Sequence, residues 1–172
     1  MVRVLGATLL LATALSARSA AQSRPDGWYL GGAGNLLAAG FGTDNQTLGG
    51  PSLQLGTVRP GRLGIQAATT YLVPTGRYDL TGAALELGLG YGIPAGDRSV
   101  LVAHAGLAGV IGGDNDGGAG AAAAVAAGLA LVTRLHGRLG LRLDLAPKLW
   151  INRGTPFTFG ASAGLVLLRG PR

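Results

Sequence analysis

Residues Leu139 to Leu145 read Leu-Gly-Leu-Arg-Leu-Asp-Leu. As an extended strand this run has two chemically distinct faces, leucine on one side and Gly140, Arg142 and Asp144 on the other. Such a strand has to place its leucines against protein core or against lipid. This segment alone leaves both open, so the rest of the chain has to decide.

The amino terminus begins Met1-Val2-Arg3, continues through an apolar run from Val4 to Leu15 and closes on Ser19-Ala20-Ala21. That order of charged, apolar and small residues predicts a signal peptide over residues 1–21, with one domain over residues 22–172. The chain has no cysteine, so an exported fold here is stabilised by packing or by lipid and not by disulfides. Charge is sparse at 13% of residues, there are 32 glycines and the mean hydropathy is positive. No segment after the leader offers a membrane helix. The alanine-rich stretch from Gly118 to Thr133 has helix formers, but it falls short of the roughly 20 apolar residues a helical span requires. Every backbone polar group in a bilayer must be paired within the protein, which leaves a closed barrel as the other spanning structure.

With Gly and Pro clusters as punctuation, the chain after the leader divides into eight extended segments. They are Trp28 to Ala39, Ser52 to Arg59, Arg62 to Val73, Leu80 to Ile93, Arg98 to Ile111, Ala119 to Arg134, Arg138 to Ile151 and Phe157 to Leu168. Longer connections (Phe41 to Gly50, Pro74 to Asp79, Gly112 to Gly118, Asn152 to Pro156) alternate with tight ones (Pro60-Gly61, Pro94 to Asp97, Leu135 to Gly137). Membrane barrels show this asymmetry, with short turns in the periplasm and longer loops outside. The expected fold is all-β: an eight-stranded antiparallel up-and-down transmembrane β-barrel preceded by a signal peptide.

Parity then assigns the faces. Lipid-facing positions are Leu53, Leu55 and Thr57; Leu63, Ile65, Ala67, Thr69 and Tyr71; Leu85, Leu87, Leu89 and Tyr91; and Leu101, Ala103, Ala105 and Leu107. Val125, Ala127, Leu129 and Leu131, the leucines of residues 139–145, and Phe157, Phe159, Ala161, Ala163, Leu165 and Leu167 continue the pattern. Inward positions hold Asn35, Gln54, Gln66, Thr70, Glu86, His104, Arg142, Asp144, Thr158 and Ser162 among glycines and alanines. A soluble lipocalin-like barrel has the reverse polarity. Trp28, Tyr29 and Tyr91 fall at the periplasmic strand ends, and Tyr71, Trp150, Phe157 and Phe159, with Phe41 and Tyr78, at the external ends. They form two aromatic girdles at headgroup depth. Arg59, Arg62, Arg98, Arg134, Arg138, Arg169 and Arg172 lie near the periplasmic rim as solvated charges. Scattered over turns, without interleaved aromatics, they make no groove for nucleic acid.

A leader, eight alternating strands, short inner turns and a terminal strand from Phe157 to Leu168 together resemble the small OmpA/OmpX-like eight-stranded outer-membrane β-barrel superfamily of diderm bacteria. The resemblance implies an outer-membrane location, with surrounding lipids and lipopolysaccharide as partners. It also implies recognition of the last strand by the barrel-assembly machinery during insertion, through Ser162, Gly164 and Leu167. Within such a barrel Glu86, Arg142 and Asp144 resemble a luminal salt-bridge plug, and whether Arg142 pairs with Glu86 or with Asp144 depends on register.

Other chemistry is weakly signalled. His104 with Glu86 and Ser162 invites comparison with lipid A deacylases and acyltransferases, but the histidine is followed by Ala105 and Gly106, where a deacylase-like strand has its serine two residues after the histidine. Asp114 to Gly118 has calcium-loop composition, yet Val125 stands where an EF-hand has glutamate. The pairs Gly32/Gly34 and Gly88/Gly90/Gly92 do not complete a dinucleotide fingerprint. No catalytic residue, metal site or cofactor is expected. The functional expectation is a non-enzymatic barrel with a structural, envelope-stabilising or surface-contact role. The alternatives are a narrow channel or transporter for small solutes, or a lipid A-modifying barrel enzyme.

Overall fold

A computed structural model describes residues 24–39, 46–74, 81–113, 118–151 and 157–170. The leader, most of the external connections and the calcium-like turn at Asp114 lie outside these residues. Eight strands run in chain order: β1 (Gly27–Ala39), β2 (Gln46–Val58), β3 (Leu63–Pro74), β4 (Thr81–Pro94), β5 (Ser99–Gly113), β6 (Ala119–His136), β7 (Leu139–Trp150) and β8 (Phe157–Arg169). Each pairs antiparallel with its sequence neighbours, and β8 pairs with β1, so the sheet closes into a barrel without an edge. Strands of 12 to 18 residues exceed the roughly 9–11 that cross the hydrocarbon layer at a tilt. The alanine-rich stretch is β6, a strand.

The three tight turns sit at the same end as the start of β1 and the end of β8. Gly61, Gly96 and Gly137 have positive φ there, a conformation that residues with a Cβ rarely adopt. The second strand begins at Gln46, earlier than the Gly49-Gly50-Pro51 cluster suggests. Pro51 is accommodated because Gly50 and Pro51 are skipped in the β2–β3 ladder, where the missing N–H would otherwise be needed. The β6–β7 ladder skips Ala146 and Pro147 in the same way.

Leucines and isoleucines cover the outside of the barrel, with Leu107 67% exposed and Leu53, Leu87, Leu145 and Leu167 similarly bare. Among the described residues no outward position between the rims is charged. An apolar band around the whole circumference is far larger than the patches water tolerates and requires lipid. One outward assignment is corrected. Thr57 is buried, because beyond the Gly56–Gln66 pair its Oγ1 turns into the sheet and accepts from the Ile65 amide at 3.0 Å.

The buried core is inside the barrel, toward the tight-turn end. It consists of Tyr29, Val58, Val100, Val102, Ala130, Val132, Val166 and Leu168. These side chains come from β1, β2, β5, β6 and β8, and they fill the cross-section that eight strands enclose.

Candidate functional site: the luminal ion-pair network

Above this apolar floor the lumen turns polar. On β7 the inward residues recur every second position, so Arg142, Asp144 and Lys148 share one face by strand geometry alone. Arg142 is 4% exposed. Its Nη1 donates to the Tyr29 hydroxyl at 2.6 Å, and its Nη2 donates to Gln66 Oε1 at 2.8 Å and to Asp144 Oδ2. Its guanidinium carbon also lies 5.2 Å from the Tyr29 ring centroid, within cation–π range. The other carboxylate oxygen of Asp144 lies 3.0 Å from His104 Nε2. One buried cation is thereby held by groups from β1, β3 and β7, with His104 of β5 on the far side of its counter-ion.

A second pair lies beside the first: Lys148 Nζ donates to Glu86 Oε1, linking β7 to β4. Polar side chains complete the layer. Gln54 donates to the Ser162 hydroxyl at 3.2 Å and Asn35 to Thr70 Oγ1 at 3.3 Å. Together they border a cavity of about 70 Å³, room for a few water-sized groups and far short of an aqueous pore. Each buried charge has an opposite partner, which is the condition for tolerating it away from bulk water.

Of the two pairings that sequence leaves open, the structure has Arg142 with Asp144, while Glu86 belongs to a separate pair with Lys148. Lys148 is the luminal charge that sequence analysis does not single out, although its signal is there: an even-numbered position on β7 in phase with Arg142 and Asp144.

Two girdle residues are also reassigned. Tyr29 is 2% exposed and faces the lumen, because the outward parity on β1 belongs to Trp28 and Leu30. Trp150 faces inward at the external end, where its Nε1 donates to Thr158 Oγ1 at 2.9 Å. Trp28, Tyr91, Tyr71 and Phe159 are exposed on the outside, and Phe157 is partly exposed on the same face of β8 as Phe159. His104 and Ser162 are engaged with Asp144 and Gln54 respectively, and no described contact joins them to each other.

No family model and no curated protein sequence matches the chain. Solved structures do. Neisserial surface protein A superposes with a TM-score of 0.65 at 12% identity, covering 83% of this chain and 97% of that one. Ail, the attachment invasion locus protein of Yersinia pestis, gives 0.57 at 11% identity, covering 87% and 100%. The N-terminal β-barrel domain of Pseudomonas aeruginosa OprF gives 0.51 at 13% identity, covering 84% and 100%. At such identities the likeness is one of fold: the chain shares the closed eight-stranded antiparallel barrel of these outer-membrane proteins. That fold with this apolar exterior is an outer-membrane architecture, and in such barrels the short turns are at the periplasmic end.

Proposed function

We propose that the protein is a non-conducting, non-enzymatic outer-membrane barrel whose interior is a structural plug, serving the envelope as a membrane-embedded scaffold for its external loops. The observation that carries this reading is the apolar floor of the lumen. Val100, Val102, Val132 and Val166 are essentially inaccessible at the periplasmic end, and the Arg142 hub sits directly against them through Tyr29. A solute moving down the lumen would have to displace both. Packed valines resist that because they have few alternative rotamers and no polar atoms to hydrate.

On this reading the partners are outer-membrane lipids and lipopolysaccharide around the leucine band, and the assembly machinery that receives β8. Surface contact, the role that the name of Ail as an attachment protein describes, would reside here in the external connections. The reading is tested by single-channel recording of the refolded protein in planar bilayers. The wild type is expected to leave the bilayer silent under conditions in which an open barrel of known conductance is readily detected. Discrete, reproducible openings of the wild type would sink the plug and favour the narrow channel.

A further inference from the structure

The periplasmic rim carries charge that the plug does not use. Arg169 flanks the β1–β8 seam, Arg59 and Arg62 the β2–β3 turn, Arg98 the β4–β5 turn and Arg138 the β6–β7 turn, while Arg24, ahead of β1, donates its Nε to the Gly96 carbonyl of the β4–β5 turn at 2.8 Å. All four corners of that end therefore bear arginine, against only Asp26 and Asp97 as acidic residues there among the described ones. None of these arginines has a described carboxylate within 4.0 Å. Arg59, Arg62, Arg138 and Arg169 are exposed. An ordinary solvated surface mixes both signs evenly; this rim is biased strongly toward positive.

Depth narrows the partner. Arg169 is in register with Trp28, and both lie on the outward face. Arg62 immediately precedes Leu63, which is in register with Tyr91. The guanidinium groups thus begin where the apolar exterior and its amphipathic aromatics end, at the level of lipid phosphates. Guanidinium is the side chain best matched to phosphate, through two parallel charge-assisted hydrogen bonds. We infer that the periplasmic rim is a docking ring for anionic phospholipid headgroups, enriching them around the barrel in the periplasmic leaflet.

The chain holds its own probe, because Trp28 and Trp150 are the two tryptophans of the sequence. In a Trp150→Phe background only Trp28, beside Arg169, reports. The full-length barrel is refolded into phosphatidylcholine vesicles that contain a minor fraction of brominated lipid, either phosphatidylglycerol or phosphatidylcholine, and Trp28 quenching is compared. Brominated phosphatidylglycerol is expected to quench as though its local fraction were about two- to fivefold higher, the scale of one or more arginines at an anionic surface. The excess should shrink at high salt. It should vanish when Arg59, Arg62, Arg138 and Arg169 are all changed to Gln, with heat-modifiable gel mobility confirming the fold. If that variant does not fold, Arg169→Gln alone, nearest the probe, should reduce the excess. Equal quenching by the two lipids overturns the inference, as does an excess that survives the substitutions. Equal quenching combined with arginine-dependent sedimentation of the protein on purified cell-wall sacculi also overturns it and reassigns the ring to an acidic wall polymer. These outcomes are independent of the conductance test.

Discussion

Arg142 shows why a charge is retained inside a barrel. Desolvating a guanidinium is costly, and the attraction of one carboxylate offsets that only when the remaining donors are also satisfied. Here Tyr29 and Gln66 take two of them, while the buried Nε has no hydrogen-bond partner, so the offset is incomplete. Arg142→Ala strands Asp144 without its arginine, with only His104 left on it. The expected loss is about 3–5 kcal/mol in denaturant unfolding from detergent micelles. Arg98→Ala at the rim should change the midpoint little. His104→Ala leaves the Arg142–Asp144 pair intact and should cost only about 1 kcal/mol. Equal midpoints for the Arg142 and Arg98 variants would show that the hub contributes no more than a solvated rim charge.

At the scale of the element, the β2–β3 ladder is the weakest seam described. Gly50 and Pro51 leave a gap in it, and past Gly56 the ladder is closed by a side chain, Thr57 Oγ1, in place of a carbonyl. Thr57→Val keeps the shape and removes the acceptor. It is expected to destabilise the barrel by about 1–2 kcal/mol, with the Ile65 amide exchanging faster while amides in β5 and β6 stay protected. Hydrogen exchange read residue by residue checks this, and an unchanged Ile65 rate would refute it. Strand existence and facing were legible because period-two alternation is a local property, unaffected by what lies across the barrel. The start of β2 was not legible, because Gly49-Gly50-Pro51 has turn composition and only pairing across the sheet, with β1 along its length and with β3 at Leu48 and Gly49, holds it extended. Thr57 escaped for a related reason: its parity is outward, and its rotation inward answers a ladder that ends one pair earlier.

For the whole molecule, the solvent of the outer surface is the decisive property. In a soluble protein an exposed leucine exchanged for arginine changes stability by tenths of a kcal/mol. In this barrel Leu107→Arg, at the middle of the lipid-facing band, is expected to cost about 2–4 kcal/mol when unfolding is measured from lipid vesicles. A neutral result would mean that the leucine band does not face hydrocarbon. The bilayer recording expected to stay silent belongs to this scale too, because the proposed closure rests on the valine floor and the charged layer together.

Read alone, the sequence determines which residues face in and which face out, where the tight turns fall and which end of the barrel they mark. These follow from alternation, glycine placement and the solvation of side chains, all settled within a few residues along the chain. Only the tertiary structure decides which inward charges meet. Closing eight tilted strands staggers each against the next, so Arg142 meets Tyr29 at 113 residues' separation and Lys148 meets Glu86 at 62. A shift of two residues in any register would preserve every facing assignment and yet exchange the partners. The seating of Arg142 on Tyr29 and the pairing of Lys148 with Glu86 both depend on that stagger.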